Sequence, residues 1–130
     1  MVCNEKSVLV LEDEPSVLGI IRATLQAGAF EDVTAASKIR EARELWQKNA
    51  GRFDLFLTDF SLPDGSAPAL IGEWLAEKPD LEVVLMSGFS EQSLDLDPAL
   101  SSRIHLLPKP FRPSELLGLI RERLENAVAA

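Results

Sequence analysis

Five side chains that could take part in chemistry lie directly after short apolar runs of the sequence. They are Glu12, Asp13, Asp59, Ser87 and Lys109, and the runs before them read VLVL, LFLT, VVLM and IHLLP. A carboxylate beside an apolar run is costly unless a cation or hydrogen-bond donors compensate its charge. Clustered carboxylates repel each other, and Mg²⁺, a hard cation with oxygen ligands, offsets that repulsion. Because aspartate is a covalent nucleophile for phosphoryl groups, the set indicates phosphoryl transfer to Asp59. Mg²⁺, the Ser87 hydroxyl and the Lys109 ammonium would then bind the phosphoryl oxygens.

Each of these groups also has a purely local interpretation. The acids at positions 12–14 precede a helix, whose dipole favours them by about 0.3–1 kcal/mol each. Asp59 can accept hydrogen bonds from the following turn. Ser87 can be a turn residue, and Lys109, between two prolines, can be simply solvated. The joint pattern favours the chemical interpretation, because four separate runs each end in a group that the same reaction needs.

The elements that must position these side chains alternate along the chain. The four continuous apolar runs are typical of strands buried on both faces of a sheet, and residues 33–36 form a weaker fifth candidate. Helical periodicity predicts five helices. The first runs from Pro15 to near Gly28, where glycine suits a left-handed end, and the second is capped by Ser37 and ends near Gly51. The third stops before Pro79, a short or frayed fourth covers 90–100, and the last begins at Pro113. Strands that alternate with helices predict a doubly wound parallel α/β sheet. Ligands of such sheets bind at the carboxyl ends of the strands, so the five side chains should converge on one edge.

The composition narrows the class of protein. A chain of 130 residues with 46% hydrophobic content predicts a single domain over residues 1–130, with its core at about 7–125. The net charge of −8 argues against a nucleic-acid or anionic membrane surface, and no apolar stretch approaches the roughly 18 residues of a membrane span. The single cysteine and a start without a signal-peptide pattern fit the cytoplasm.

The residues resemble the receiver domain of two-component response regulators. The resemblance is carried by the acidic pair after the first strand, the phosphoacceptor strand LFLTDFSLPDG, the hydroxyl residue in LMSG and the lysine in LPKPF. It covers the chain from about Ser7 to about Glu125. It implies a single flavodoxin-like (βα)5 domain, a parallel five-stranded sheet in the order 2-1-3-4-5. It also implies that the Lys109–Pro110 peptide bond is cis.

The resemblance assigns a role to each site residue. Asp59 would accept phosphate from a phosphohistidine of a histidine kinase or a histidine phosphotransfer protein. Asp13 and Asp59 would ligate Mg²⁺ directly, Glu12 would act through water, and the main-chain carbonyl of Ser61 would complete the metal site. Ser87 and Lys109 would contact the phosphoryl group. The last helix, with one charged face, leaves a homodimer open as a further partner.

The sequence departs from the family at one position and leaves two rival functions. Leu106 occupies the position where many receivers carry a switching aromatic ring, and a loose segment at 90–100 could instead become ordered on phosphorylation or partner binding.

One rival is a pseudo-receiver that binds partners without phosphorylation, which the complete residue set argues against. The other is an aspartyl phosphatase, whose general acid two residues after the nucleophile is here Ser61. We therefore expect slow self-dephosphorylation and not an enzyme with separate substrates. A nucleotide-binding fold is not expected, because no glycine-rich loop follows the first strand.

Overall fold

A computed structural model describes residues 4–88 and 101–129 of the chain. The strands are β1 (Asn4–Leu11), β2 (Phe30–Ala36), β3 (Leu55–Asp59), β4 (Ser61–Leu62), β5 (Gly65–Ser66), β6 (Glu82–Ser87) and β7 (Ile104–Pro108). The helices are α1 (Pro15–Ala27), α2 (Ile39–Lys48), α3 (Ala67–Glu77) and α4 (Pro113–Ala129). Within these described residues, no helix combines the length and apolarity needed to cross a membrane.

Five of the strands form one parallel sheet in the order β2-β1-β3-β6-β7. This is the predicted order 2-1-3-4-5, because the short hairpin of β4 and β5 takes two numbers between the third and fourth sheet strands. The flavodoxin-like fold class is therefore confirmed. The weak candidate at 33–36 is also a strand, and it begins earlier, at Phe30. The helix predicted at 90–100 lies outside the described residues.

The sheet has a separate apolar cluster on each face. Helices α2 and α3 cover one face, and α1 and α4 cover the other. The four residues Val8–Leu11 of β1 are all fully buried and alternate between the two clusters. Burial on both faces explains why the strands read as continuous apolar runs in the sequence.

Two tryptophans pack α2 against α3. The rings of Trp46 and Trp74 are stacked, with centroids 4.1 Å apart and an interplanar angle of 8°. Both residues are buried, and Trp46 Nε1 donates a hydrogen bond of 2.7 Å to Glu77. This face of the domain is therefore packed by large aromatic side chains.

Helix α1 runs from Pro15 to Ala27, as predicted, but two predictions about how helix ends are capped are wrong. Gly28 has a φ of −85°, and the left-handed residue after α1 is Ala29, with a φ of 67°. Gly28 packs closely against α4, and an added Cβ would lie 2.5 Å from Leu117 Cδ1, so a larger residue would require that side chain to shift. Ser37 does not cap α2, because the N-cap position is Lys38, one residue later; the Ser37 hydroxyl donates a 2.6 Å hydrogen bond to Glu41.

Candidate functional site

Parallel register brings the predicted side chains to one edge of the sheet. Leu11 of β1 is paired with Thr58 of β3, so the next residues, Glu12 and Asp59, lie side by side. On the other side of β3, Asp59 is paired with Met86, the residue before Ser87. Ser87 is in turn paired with Pro108, directly before Lys109. Residues that follow neighbouring strand ends thus become neighbours in space.

Lys109 is the cation of this edge. Its Nζ lies 3.0 Å from Asp59 Oδ1 and 3.5 Å from Glu12 Oε2. Burial alone lowers the pKa of Lys109, but the hydrogen bond and charge of Asp59, with the charge of Glu12, outweigh that effect and raise the pKa above its usual value. The backbone amide of Lys109 donates to the Ser87 carbonyl at 2.8 Å, and the following peptide bond to Pro110 is cis, as the resemblance implies. The ammonium is therefore held in its charged form between two carboxylates.

Glu12 is the most deeply buried charged residue of the site. It is 1% exposed, and neither carboxylate oxygen has a hydrogen-bond partner within the part of the chain that the structure describes. Burial first, and the nearby charge of Asp59 second, raise the pKa of Glu12 from 4.5 to about 7. A buried carboxylate without hydrogen-bond donors is destabilising, and such a group needs a physical explanation.

Three carboxylates at this edge are close enough to share one ion. Glu12, Asp13 and Asp59 can each offer an oxygen so that these atoms lie within 4.8 Å of one another. Carboxylate oxygens are the ligands that a hard cation such as Mg²⁺ prefers. The unpartnered oxygens of Glu12, next to exposed Asp13, fit a site that a hydrated divalent cation completes. Ser61 lies two residues beyond Asp59, in β4, where it is paired with Ser66.

The backbone and a hydroxyl complete the surroundings of Asp59. The Phe60 amide donates to Asp59 Oδ1 at 3.1 Å, and the Thr58 hydroxyl donates to the Asp59 carbonyl at 2.8 Å. Ser87 is 1% exposed, and across residues 4–88 and 101–129 no partner is found for its hydroxyl oxygen. A buried hydroxyl without a partner costs about 1–3 kcal/mol, so a ligand atom that accepts its hydrogen bond would be stabilising there.

One feature beside the site was not predicted from the sequence. An apolar depression of about 340 Å³ adjoins Lys109 and is lined by Val17, Ile20, Pro110 and Phe111. Its helix residue Ile20 is 49% exposed, which is unusual for a large apolar side chain within an amphipathic helix. The sequence carried one signal for this feature, since Val17 and Ile20 are an apolar pair at helical spacing that directly follows the acidic residues.

Leu106, at the position of the family's switching ring, lies on the exposed side of β7 with 46% of its surface accessible. The neighbouring His105 faces α4, where Arg123 Nη1 lies 3.0 Å from its Nδ1. Burial, followed by the charge of Arg123, lowers the pKa of His105. The histidine therefore packs against a helix away from the carboxylate cluster, as the alternation of a strand predicts.

Comparison with known proteins identifies the family. The sequence profile of the response regulator receiver domain matches residues 8–121. The chain therefore belongs to the receiver domain family of response regulators. It is thus a domain of two-component signalling from a phosphoacceptor family, whose members interact with kinases and phosphotransfer proteins.

Among its curated relatives are a sensor kinase and a response regulator. The chain is 32% identical over 121 residues to the sensor kinase CckA of Brucella abortus, covering 92% of this chain and 13% of that protein. It is 28% identical over 125 residues to the response regulator protein PilR of Pseudomonas aeruginosa, covering 96% of this chain and 26% of that protein. The chain therefore spans about a quarter or less of the length of these two relatives.

Solved structures share the fold. A response regulator receiver domain protein from Clostridium thermocellum superposes with a TM-score of 0.81 at 22% identity, covering 93% of this chain and 95% of that one. The receiver domain of the hybrid histidine kinase CckA gives a TM-score of 0.74 at 24% identity, covering 91% and 98%.

Proposed function

We propose that Asp59 accepts a phosphoryl group from a phosphohistidine and that the modified domain then changes its interactions with partner proteins. The observation that carries this proposal is a pair of buried groups, the Glu12 carboxylate and the Ser87 hydroxyl, that have no hydrogen-bond partner among residues 4–88 and 101–129 and lie at the same sheet edge as the Asp59–Lys109 ion pair. A cation and an anionic phosphoryl group would satisfy both. Purely local roles for Glu12 and Ser87 do not explain why these two buried groups lack hydrogen-bond partners among the described residues.

The metal in this proposal is Mg²⁺. Asp13 and Asp59 would bind it directly, Glu12 through a water molecule, and the main-chain carbonyl of Ser61 would add a fourth protein group. When bound, Mg²⁺ supplies positive charge that offsets the repulsion between the carboxylates and the phosphoryl oxygens. The close approach of the three carboxylates supports this assignment.

The chain's own residues account for the rest of the chemistry. An oxygen of Asp59 would attack phosphorus, the P–N bond of the phosphohistidine would break, and its electron pair would leave with the imidazole nitrogen. The product is an acyl phosphate on Asp59. Lys109, already 3.0 Å from Asp59, and Ser87 would bind the phosphoryl oxygens, so that most of the catalysis is positioning and charge stabilisation.

The donor in this proposal is a histidine kinase or a histidine phosphotransfer protein, encountered in the cytoplasm. The apolar depression beside Lys109, with exposed Ile20 on its rim, supports docking of a protein donor next to the reactive edge. Residues 1–130 are proposed to act as one receiver domain. A homodimer through the charged face of α4 is a separate hypothesis, which light scattering after size exclusion tests.

The domain is proposed to be a phosphoacceptor with only slow self-dephosphorylation. Ser61 stands where an aspartyl phosphatase needs its general acid, and serine is not an acid in the physiological pH range. The alternative, a pseudo-receiver without phosphorylation, would not require Glu12, Asp59, Ser87 and Lys109 to converge.

Intact mass spectrometry after incubation with acetyl phosphate and Mg²⁺ tests the proposal. We expect a single labile phosphate adduct on the wild type, complete loss in Asp59→Asn, and loss when a chelator removes the metal. Asp32→Asn is the matched control, because Asp32 is exposed on β2, outside the carboxylate cluster, and should retain the adduct. A folded wild type that forms no adduct with acetyl phosphate or with histidine phosphodonors would establish the pseudo-receiver instead.

A further inference from the structure

The tip of the β4–β5 hairpin is tied to the start of helix α2. Asp64 Oδ1 accepts a 2.9 Å hydrogen bond from the Ile39 amide, and Oδ2 accepts a 3.0 Å hydrogen bond from the Arg40 amide. These are the first two amides of α2, which have no acceptor within their own helix. An exposed carboxylate thus caps a helix that begins about 25 residues earlier in the chain.

Helix α2 has no equivalent local cap. The N-cap residue is Lys38, and no side chain of the segment directly before the helix, within the described residues, caps it. The nearest candidate, Ser37, donates its hydroxyl to Glu41. The two hydrogen bonds to Ile39 and Arg40 lower the pKa of Asp64, so the cap is charged at neutral pH. The start of α2 therefore depends on the hairpin.

The hairpin depends on this contact in turn. Each of its strands has two residues, and so short a ladder is marginally stable on its own. Gly65 has a φ of 147°, and an added Cβ would lie 3.2 Å from Ile39 Cδ1, so the tip fits closely against α2. The Asp64 carboxylate, with two hydrogen bonds, fixes both the position and the orientation of the tip.

The hairpin begins at the reactive edge. It follows Asp59 after one residue, Phe60, whose amide donates to the Asp59 side chain. Ser61, in its first strand, is paired with Ser66 in its second. A tilt of the tip would shift Ser61 through this pairing, and the Ser61 main-chain carbonyl is the fourth protein group of the proposed metal site.

We propose that Asp64 is a positioning residue of the phosphoacceptor site, which holds the Ser61 carbonyl toward Asp13 and Asp59 by anchoring the hairpin on α2. This inference rests on the proposed function, because it assumes that Mg²⁺ binds at the carboxylate cluster. It assigns to an exposed residue, outside the reactive edge, an effect on metal affinity.

The test is the Mg²⁺ dissociation constant of the unphosphorylated protein, measured by titration calorimetry. We expect Asp64→Ala to weaken Mg²⁺ binding about ten-fold, the size of effect seen when a group that supports a metal ligand is removed. Asp64→Asn keeps one side-chain oxygen that can accept a hydrogen bond, so its loss of affinity should be smaller. Because the asparagine variant retains the shape of the side chain, it keeps the proposal testable if Asp64→Ala does not fold.

Ser37→Ala is the matched control. It removes the Ser37–Glu41 hydrogen bond at the same end of α2 and leaves the hairpin contact in place. We expect a lower thermal midpoint and an unchanged Mg²⁺ affinity. Equal weakening by Ser37→Ala, or unchanged affinity in folded Asp64→Ala or Asp64→Asn, would overturn the role of Asp64 while leaving the proposed function intact. A wild type that binds no Mg²⁺ would overturn both.

Discussion

The buried edge of the sheet and the exposed tip of the hairpin each hold a carboxylate, and the surroundings of the two are opposite. Glu12 is 1% exposed, and among the described residues neither of its oxygens has a hydrogen-bond partner. Asp64 is exposed, yet each of its oxygens accepts a backbone hydrogen bond. The pKa of Glu12 is raised to about 7, first by burial, and that of Asp64 is lowered by its two hydrogen bonds.

The difference separates a binding role from a structural one. A carboxylate at the surface can be hydrated by water alone. The two hydrogen bonds that Asp64 accepts from α2 therefore indicate a structural contact between the hairpin and that helix. A carboxylate in the interior normally accepts hydrogen bonds, so the lack of one to either Glu12 oxygen, among the residues that the structure describes, identifies a position that another charge completes. Lys109 supplies part of that charge at 3.5 Å, and Mg²⁺ is proposed to supply the rest.

Removal of the Lys109 ammonium should lower the stability of the domain more than any other substitution considered at this edge. We expect Lys109→Met to lower the free energy of unfolding by about 2–4 kcal/mol at pH 8 without metal, because loss of one partner leaves buried charge uncompensated. Urea denaturation measures this change. Lys78→Met is the control, since Lys78 lies 3.7 Å from a mostly exposed Asp80, and such surface pairs contribute less than about 1 kcal/mol. Similar losses in the two variants would mean that the edge is no more charge-sensitive than the surface.

Removal of the buried negative charge of Glu12 should raise the free energy of unfolding instead of lowering it. We expect Glu12→Gln, without metal, to raise the free energy of unfolding by about 1–3 kcal/mol at pH 8. The pKa of Glu12 is higher in the folded state, so the wild type loses stability as the pH rises from about 4.5 to about 7. The gain should therefore shrink toward pH 4.5, which urea denaturation at several pH values checks.

Asp64→Asn tests whether the exposed hairpin tip and the buried sheet edge differ in how their carboxylates affect stability. The pKa of Asp64 is lower in the folded state, so its contribution is present above the unfolded value of 3.8 and is lost as the pH falls below it. We expect this variant to be less stable than the wild type at pH 8 and to approach it under strongly acidic conditions. If Glu12→Gln and Asp64→Asn shifted stability in the same direction at pH 8, the comparison would be wrong.

The smallest change in stability is expected at Ser87. Ser87→Ala removes a buried hydroxyl that has no partner among the residues described, which is stabilising, and also removes the packing of its oxygen, which is destabilising. The net change in the free energy of unfolding should therefore be less than about 1 kcal/mol. Formation of the Asp59 phosphate from acetyl phosphate should nevertheless slow at least about ten-fold, because a donor to the phosphoryl group is lost. A variant that is strongly destabilised and phosphorylated at the wild-type rate would show that the hydroxyl is structural.

The site could be predicted from the sequence because topology alone brings strand ends together. Glu12, Asp59, Ser87 and Lys109 each follow a buried run, and a parallel sheet aligns such positions whatever their function. The strands themselves were recognisable because burial on both faces leaves continuous apolar runs.

The capping of α2 could not be predicted in this way. The dipeptide Asp64–Gly65 was recognisable as a turn, but its partner lies 25 residues earlier, and nothing local marks a contact over that distance. Ser37 has the right residue type for a cap, but it lies one residue before the N-cap position, which Lys38 occupies. Likewise Gly28 looked like a left-handed helix end, whereas in the structure it packs closely against Leu117 of a distant helix. Tertiary contacts decide these positions.

The most direct test of the account is the dependence of stability on Mg²⁺ at pH 8. If the carboxylate cluster is a metal site, the free energy of unfolding should rise with Mg²⁺ concentration, by about 1.4 kcal/mol for each ten-fold increase above the dissociation constant. Asp13→Asn, which removes an exposed proposed ligand, should greatly reduce that rise. A wild-type stability that is independent of Mg²⁺, or an equal rise in Asp13→Asn, would contradict the claim that a divalent cation completes this edge.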